Sequence, residues 1–136
     1  MTYTVLVVED NPLNMELARD LLEDRGYEVL EAVDWRECMV ALTSHMPDLV
    51  LMDVQLPDRD GLQITRDLRD DPRYADLVIV AMTAHAMPED ESRVLEAGCD
   101  GYLTKPIDTR TLPTDVERYL ALGSRRHAGG RRARAT

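Results

Sequence analysis

Apolar and polar positions follow two regimes along this chain, and the regimes alternate five times. Short apolar runs ("YTVLVV", "YEVLEA", "DLVLMDV", "LVIVAMT" and "GYLT") each precede a longer stretch in which apolar residues recur at helical spacing. Runs of that length, bounded by turn formers, predict strands, and the uninterrupted ones predict strands covered on both faces. The first helical stripe is Leu13, Leu17, Leu21 and Leu22, opened by Asn11 and Pro12 as N-cap and N1 and ended by Gly26. The second starts at Asp34, carries Trp35, Cys38, Met39 and Leu42, and stops before Pro47. The third carries Leu62, Ile64 and Leu68 and ends before Pro72. Pro88 opens the fourth, with Glu89, Asp90 and Glu91 in a first turn where the helix dipole favours carboxylates, and Gly98 closes it. The fifth reaches about Leu122, and Pro113 predicts an irregular first turn with regular helix from near that proline.

Strand and helix in strict alternation predict an α/β domain: one parallel sheet with helices on both faces, joined by right-handed crossovers. No internal repeat or second domain is visible, so residues 1–122 read as one unit. In such sheets a ligand sits beyond the carboxyl ends of the strands, at the point where the strand order reverses. The polar residues at those ends are Glu9 and Asp10 after the first strand, Asp53 after the third, Thr83 after the fourth and Lys105 after the fifth. Each alone has a local use: a helix cap for Asp10 or Thr83, a turn for Asp53, a surface charge for Lys105. Gathered at one edge, they argue for a site.

Composition narrows the setting. Net charge is −10, but residues 123–136, "GSRRHAGGRRARAT", hold five Arg and no acid, which leaves the body with 11 basic against 26 acidic side chains. An acidic body disfavours nonspecific nucleic-acid binding, and the short Gly/Ala/Arg tail reads as a disordered, solvated end. No apolar run approaches a membrane span and no secretion signal opens the chain, so a cytoplasmic domain is expected. Cys38 and Cys99 are widely spaced in apolar surroundings and read as reduced, buried thiols.

Three carboxylates drawn together raise one another's pKa unless a cation joins them. Mg²⁺ suits that need, because it takes carboxylates and phosphate oxygens and keeps several waters, whereas the lack of a His or Cys cluster disfavours Zn²⁺. A carboxylate beside Mg²⁺ can act as a nucleophile toward a phosphoryl group. The transferred group's oxygens would then be met by Mg²⁺, the Thr83 hydroxyl and a cation. Lys105 is the only lysine in the chain, and its compact ammonium fits a cramped site better than a planar guanidinium. A cis Lys105–Pro106 bond would aim it inward, and the sequence leaves that isomer open.

The stretches "VLVVEDNPLN", "LVLMDVQLPDRDG", "VAMTAHA" and "GYLTKPI", in this order over roughly residues 3–122, resemble the receiver domain of response regulators in bacterial two-component signalling, the CheY-like family. The texture is most similar to DivK-type single-domain regulators and to receivers of hybrid kinases. The resemblance implies a flavodoxin-like (βα)5 fold, a doubly wound five-stranded parallel sheet of order 2-1-3-4-5. It implies Asp53 as phosphoacceptor, Asp10 as a direct Mg²⁺ ligand, Glu9 acting through a metal-bound water and the Gln55 carbonyl completing the protein ligands. Lys105 is then expected to pair with the phosphoryl group and Thr83 to move toward it. Tyr102 matches the aromatic position coupled to that threonine, with a plain half-buried strand tyrosine as the equal alternative. Ala84 keeps the site uncrowded, Glu9 replaces the commoner Asp, and Gln55 and His85 stand where family members vary.

The implied donor is a histidine kinase or a histidine phosphotransfer protein. The implied output is protein–protein contact on the face of the fourth helix, fifth strand and fifth helix, with homodimerisation there left open. The expected protein is a switch with partly self-catalysed phosphorylation and dephosphorylation, since fourteen residues after Leu122 do not make an output domain. Three other readings remain: a receiver-like module that binds without phosphorylation, a small Mg²⁺-dependent phosphohydrolase using Asp53, and nucleic-acid binding through the Arg-rich tail of residues 123–136. The second lacks an acidic residue in the Val54-Gln55-Leu56 that follows Asp53 and has no room for a cap.

Overall fold

β1 (Thr4–Val8), β3 (Leu49–Asp53) and β4 (Val78–Thr83) are almost wholly apolar, so neither face of these strands can meet water. They occupy the middle of a five-stranded parallel sheet of order β2-β1-β3-β4-β5, flanked by β2 (Glu28–Ala32) and the short β5 (Gly101–Thr104). This is the flavodoxin-like order expected from the sequence. The computed structural model describes residues 2–84 and 87–135. His85 therefore lies outside the described residues.

Successive side chains on each strand go to opposite faces and build two cores. Leu6, Val8, Val50, Met52, Ile79 and Ala81 face α2 (Trp35–Ser44), α3 (Gly61–Arg69) and α4 (Pro88–Glu96). Val5, Val7, Leu49, Leu51, Val80 and Met82 face α1 (Pro12–Asp24) and α5 (Leu112–Ala135). Cys38 and Cys99 are free and buried, and burial pushes both thiols up, to about 12 and about 11. No helix among the described residues is long and apolar enough to cross a membrane.

The helix signals act as the sequence predicts. Asn11 Oδ1 accepts from the N–H groups of Leu13 and Asn14, and Asp34 Oδ1 accepts from Glu37 N–H. Gly26 and Gly98 follow α1 and α4 with φ of +86° and +107°, the left-handed conformation that favours glycine.

Three expectations need correction. Leu13 is not part of the buried face of α1, which is Met15, Ala18 and Leu22; it is 76% exposed, because the first turn stands beyond the end of β1, where no core remains to cover it. Trp35, at the start of α2, is likewise 36% exposed, while Cys38 and Leu42 take the core. α5 begins at Leu112, close to Pro113 as expected, but its backbone continues helically past Leu122 to Ala135. Gly123, Gly129 and Gly130 weaken this continuation by roughly 1 kcal/mol each, whereas the Ala and Arg residues around them carry little intrinsic cost in a helix.

Candidate functional site

The chain leaves β1 toward β2 on one side and returns to β3 on the other, and this reversal opens a crevice at the carboxyl ends of β1 and β3. A pocket of about 240 Å³ lies there, lined by Asp10, Asn14, Asp53, Gln55, Thr83 and Lys105, with Ala84 at its rim. Glu9 sits beneath it, fully buried, where its N–H donates to Ala32 O at 2.9 Å and so prolongs the β1–β2 ladder. All five strand-end residues singled out from the sequence therefore converge, together with Gln55.

Lys105 reaches the centre from the end of β5, and the Lys105–Pro106 peptide is cis. Its Nζ donates to Glu9 Oε1 at 2.7 Å and lies 3.2 Å from Asp53 Oδ2. Asp53 is 3% exposed, and its Oδ1 accepts from Gln55 N–H at 3.0 Å. Gly61 closes the wall behind it: a Cβ there would stand 2.1 Å from the Asp53 carbonyl oxygen, so only glycine lets α3 approach this closely. Thr83 is buried, and its carbonyl accepts from Lys105 N–H at 2.8 Å, holding the threonine and the lysine side by side on β4 and β5.

The electrostatics are asymmetric. Burial first, then the hydrogen bond with Glu9, raises the Asp53 carboxyl to about 7; Gln55 N–H and Lys105 offset this only in part. Burial also pushes Glu9 up, but hydrogen bonding to Asp53 and Lys105 and the charge of Lys105 outweigh it and hold Glu9 below its ordinary value. Burial lowers the Lys105 ammonium, and its two carboxylate neighbours more than reverse that. The sequence predicts that nearby carboxylates raise one another unless a cation joins them; for Glu9 the hydrogen bond with Asp53 and then Lys105 hold it down, while Asp53 still rises.

Carboxylate oxygens of Glu9, Asp10 and Asp53 lie within 4.8 Å of one another. Glu9 Oε2 is buried with no hydrogen-bond donor among the described residues. An all-oxygen set with one side chain exposed and two buried suits a hard divalent cation that keeps waters. Tyr102 does not line this pocket. It faces a second cavity of about 480 Å³ between β5 and α5, which also contains Tyr119 and Lys105. The charge of Glu91 on α4, then burial, raises its phenol. Two site residues carried no sequence signal of their own. Asn14 lines the pocket beside Glu9, its position set by the N-cap geometry of α1, and Gly61 is marked only as a turn glycine.

Residues 5–117 match the family described as response regulator receiver domain. The chain belongs to that family. This receiver is 42% identical over 120 residues to the polar-differentiation response regulator DivK of Brucella ovis, covering 88% of this chain and 98% of that protein. Its fold superimposes on the chemotaxis response regulator CheY4 of Vibrio cholerae with a TM-score of 0.83 at 28% identity, covering 88% of this chain and 99% of that one. A receiver domain of a Pseudomonas aeruginosa PAO1 sensor histidine kinase matches with a TM-score of 0.80 at 31% identity, over 89% and 99% of the two chains; it holds a magnesium ion in its active-site cleft. Receivers of this family are signalling switches that work with histidine kinases or phosphotransfer proteins, and this chain is a response regulator of that kind.

Proposed function

We propose that Asp53 accepts a phosphoryl group from a phosphohistidine and that the resulting aspartyl phosphate changes which proteins this receiver contacts. The observation that carries this reading is the convergence of Asp53 with Lys105, Thr83 and two further carboxylates around one pocket. An oxygen of Asp53 bonds to phosphorus as the P–N bond of the donor breaks. The electron pair stays on the leaving imidazole nitrogen, which takes a proton from solvent. The Lys105 ammonium and the Thr83 hydroxyl stand where they can meet phosphoryl oxygens, and Ala84 leaves the mouth open to a bulky donor. Asp10, Asp53 and the Gln55 carbonyl would hold Mg²⁺, with Glu9 behind them; when bound, the ion neutralises charge on the transferring group.

The donor is a histidine kinase or a histidine phosphotransfer protein in the cytoplasm, and the chemistry of transfer and of later hydrolysis resides largely in the receiver's own residues. Thr83 and Tyr102 relay the phosphorylated state to the face of α4, β5 and α5, where output partners or a second copy bind. Met87 and Leu95 offer exposed apolar contacts at α4. Residues 1–122 form the receiver unit and 123–136 an appendage. The test is intact mass after incubation with acetyl phosphate or a phosphohistidine donor and Mg²⁺. A labile phosphoryl adduct on wild type, absent from Asp53→Ala and abolished by EDTA, is expected. No adduct from either donor on a folded, Mg²⁺-binding protein would refute the reading in favour of a phosphorylation-independent binding module.

A further inference from the structure

The loop that follows Asp53 reaches across the end of a neighbouring strand to a contact that the pocket itself does not require. Trp35 opens α2, and its backbone N–H is one of the donors that a helix's first turn leaves without an intrahelical acceptor. It donates to Asp58 Oδ1 at 3.0 Å, so α2 is capped by the loop as well as by its own Asp34. The Arg59 guanidinium stacks over the Trp35 indole, 5.1 Å from the ring centroid, and pairs with Asp67 on α3. β1 lies between β2, which leads into α2, and β3, which leads into the loop, so this contact spans the strand end that carries Glu9 and Asp10.

The other side of the loop is anchored separately. Asp60 forms a backbone bridge with Gln55 and caps α3 through Leu62 N–H at 2.8 Å, and Gly61 N–H donates to Val54 O at 2.9 Å. Gln55 belongs to this inner anchor, and its N–H holds Asp53 Oδ1 at 3.0 Å.

We propose that Trp35, with Asp58 and Arg59, is a positioning clamp for residues 54–60: by holding the outer side of the loop against α2 it fixes Gln55, and through Gln55 the orientation of the Asp53 carboxylate. Without the clamp the loop samples arrangements in which Gln55 N–H is withdrawn from Asp53. With it those arrangements are removed before any ligand arrives, so the effect falls on metal affinity and on phosphoryl transfer, with little on global stability. This rests on the reading of Asp53 as phosphoacceptor and of the Gln55 carbonyl as a metal ligand.

The test uses the full chain, wild type beside Arg59→Ala and Arg59→Lys. Mg²⁺ alone is titrated by calorimetry and by emission of Trp35, the single tryptophan; phosphoryl lifetime and thermal midpoint are then measured. Arg59→Ala is expected to weaken Mg²⁺ binding about threefold and to alter the phosphoryl lifetime with a midpoint close to wild type, and Arg59→Lys to recover most of the affinity by keeping a cation on the indole. Unchanged Mg²⁺ affinity and phosphoryl lifetime in Arg59→Ala would overturn the clamp, as would losses that merely track a lowered midpoint or that Arg59→Lys does not recover. If wild type binds Mg²⁺ but takes no phosphoryl group from any donor, the phosphoacceptor reading fails while the Mg²⁺ comparison still decides the clamp. Wild type that binds no Mg²⁺ overturns both.

Discussion

In the metal-free protein, folding strongly opposes the ionisation of Asp53. Its carboxyl rises from 3.8 to about 7, through burial first and then its contact with Glu9. Between those values the folded state keeps a proton that the unfolded chain has lost, so stability falls as pH rises through this window and the loss is complete above about 7. Glu9 is held below its ordinary value of 4.5 and Lys105 above its ordinary value of 10.5, so above about pH 5.5 and up to about pH 8.5 both stay charged in either state and add little slope. From about pH 5.5 to about 7 is ~1.5 pH units, which at ~1.36 kcal/mol per unit makes a change of about 2 kcal/mol. Asp53→Asn keeps the side-chain shape and removes the titration. Urea unfolding of both proteins in EDTA, at about pH 5.5 and about pH 8.5, isolates the effect, because the histidines are common to both and cancel in the difference. The stability of the Asn variant relative to wild type should grow by about 2 kcal/mol between the two conditions. Mg²⁺ added at the higher pH should then narrow the gap by binding wild type more tightly. A difference that is the same at both pH values would refute the claim that buried Asp53 holds its proton to near neutrality.

Gly61→Ala places a methyl group 2.1 Å from the Asp53 carbonyl oxygen, so α3 or the end of β3 must shift. Denaturant midpoints should report a loss of about 1–3 kcal/mol, with slower phosphorylation, and wild-type values for both would contradict the close approach. Lys105→Met strips the ammonium from Glu9 and Asp53, whose carboxyls then both rise; stability should drop by about 3 kcal/mol above pH 7 and by less near pH 5.5, where a proton can replace the lost cation. A loss of equal size at both pH values would count against that. Asn11→Ala removes the acceptor for two N–H groups of α1 and should cost about 1 kcal/mol by urea unfolding, with an unchanged midpoint as the contrary result.

Much of this molecule was legible along the chain because its signals are local. An apolar run such as "VLVV" has one way to escape water on both faces, and Asn11-Pro12 or Gly98 acts within a turn of where it stands. The carboxylates, the threonine and the lysine at the strand ends were legible for a related reason: in a parallel sheet every strand ends on the same edge, so residues distant in sequence share a site once the topology is known. Leu13 and Trp35 fall on the apolar stripes of α1 and α2 yet are exposed, because periodicity marks a helix face without showing where along the helix the neighbouring layer stops.

The energetics of the site lay beyond that reading. Glu9 and Asp53 shift in opposite directions although the one ammonium meets both, because burial and hydrogen bonding weigh differently on each, and Lys105 meets Glu9 across 96 residues of chain at a distance no spacing encodes. Arg69 is one of fifteen arginines in the sequence, yet in the fold it donates to Gly98 O and Tyr74 O at 2.8 Å and pairs with Asp100, tying α3 to the turn before β5. The same holds for Arg59 on Trp35. Elements and edge chemistry follow from local periodicity and from strand polarity, which the order of residues contains. Charge pairing, burial and close approach depend on distances that arise only once the layers pack.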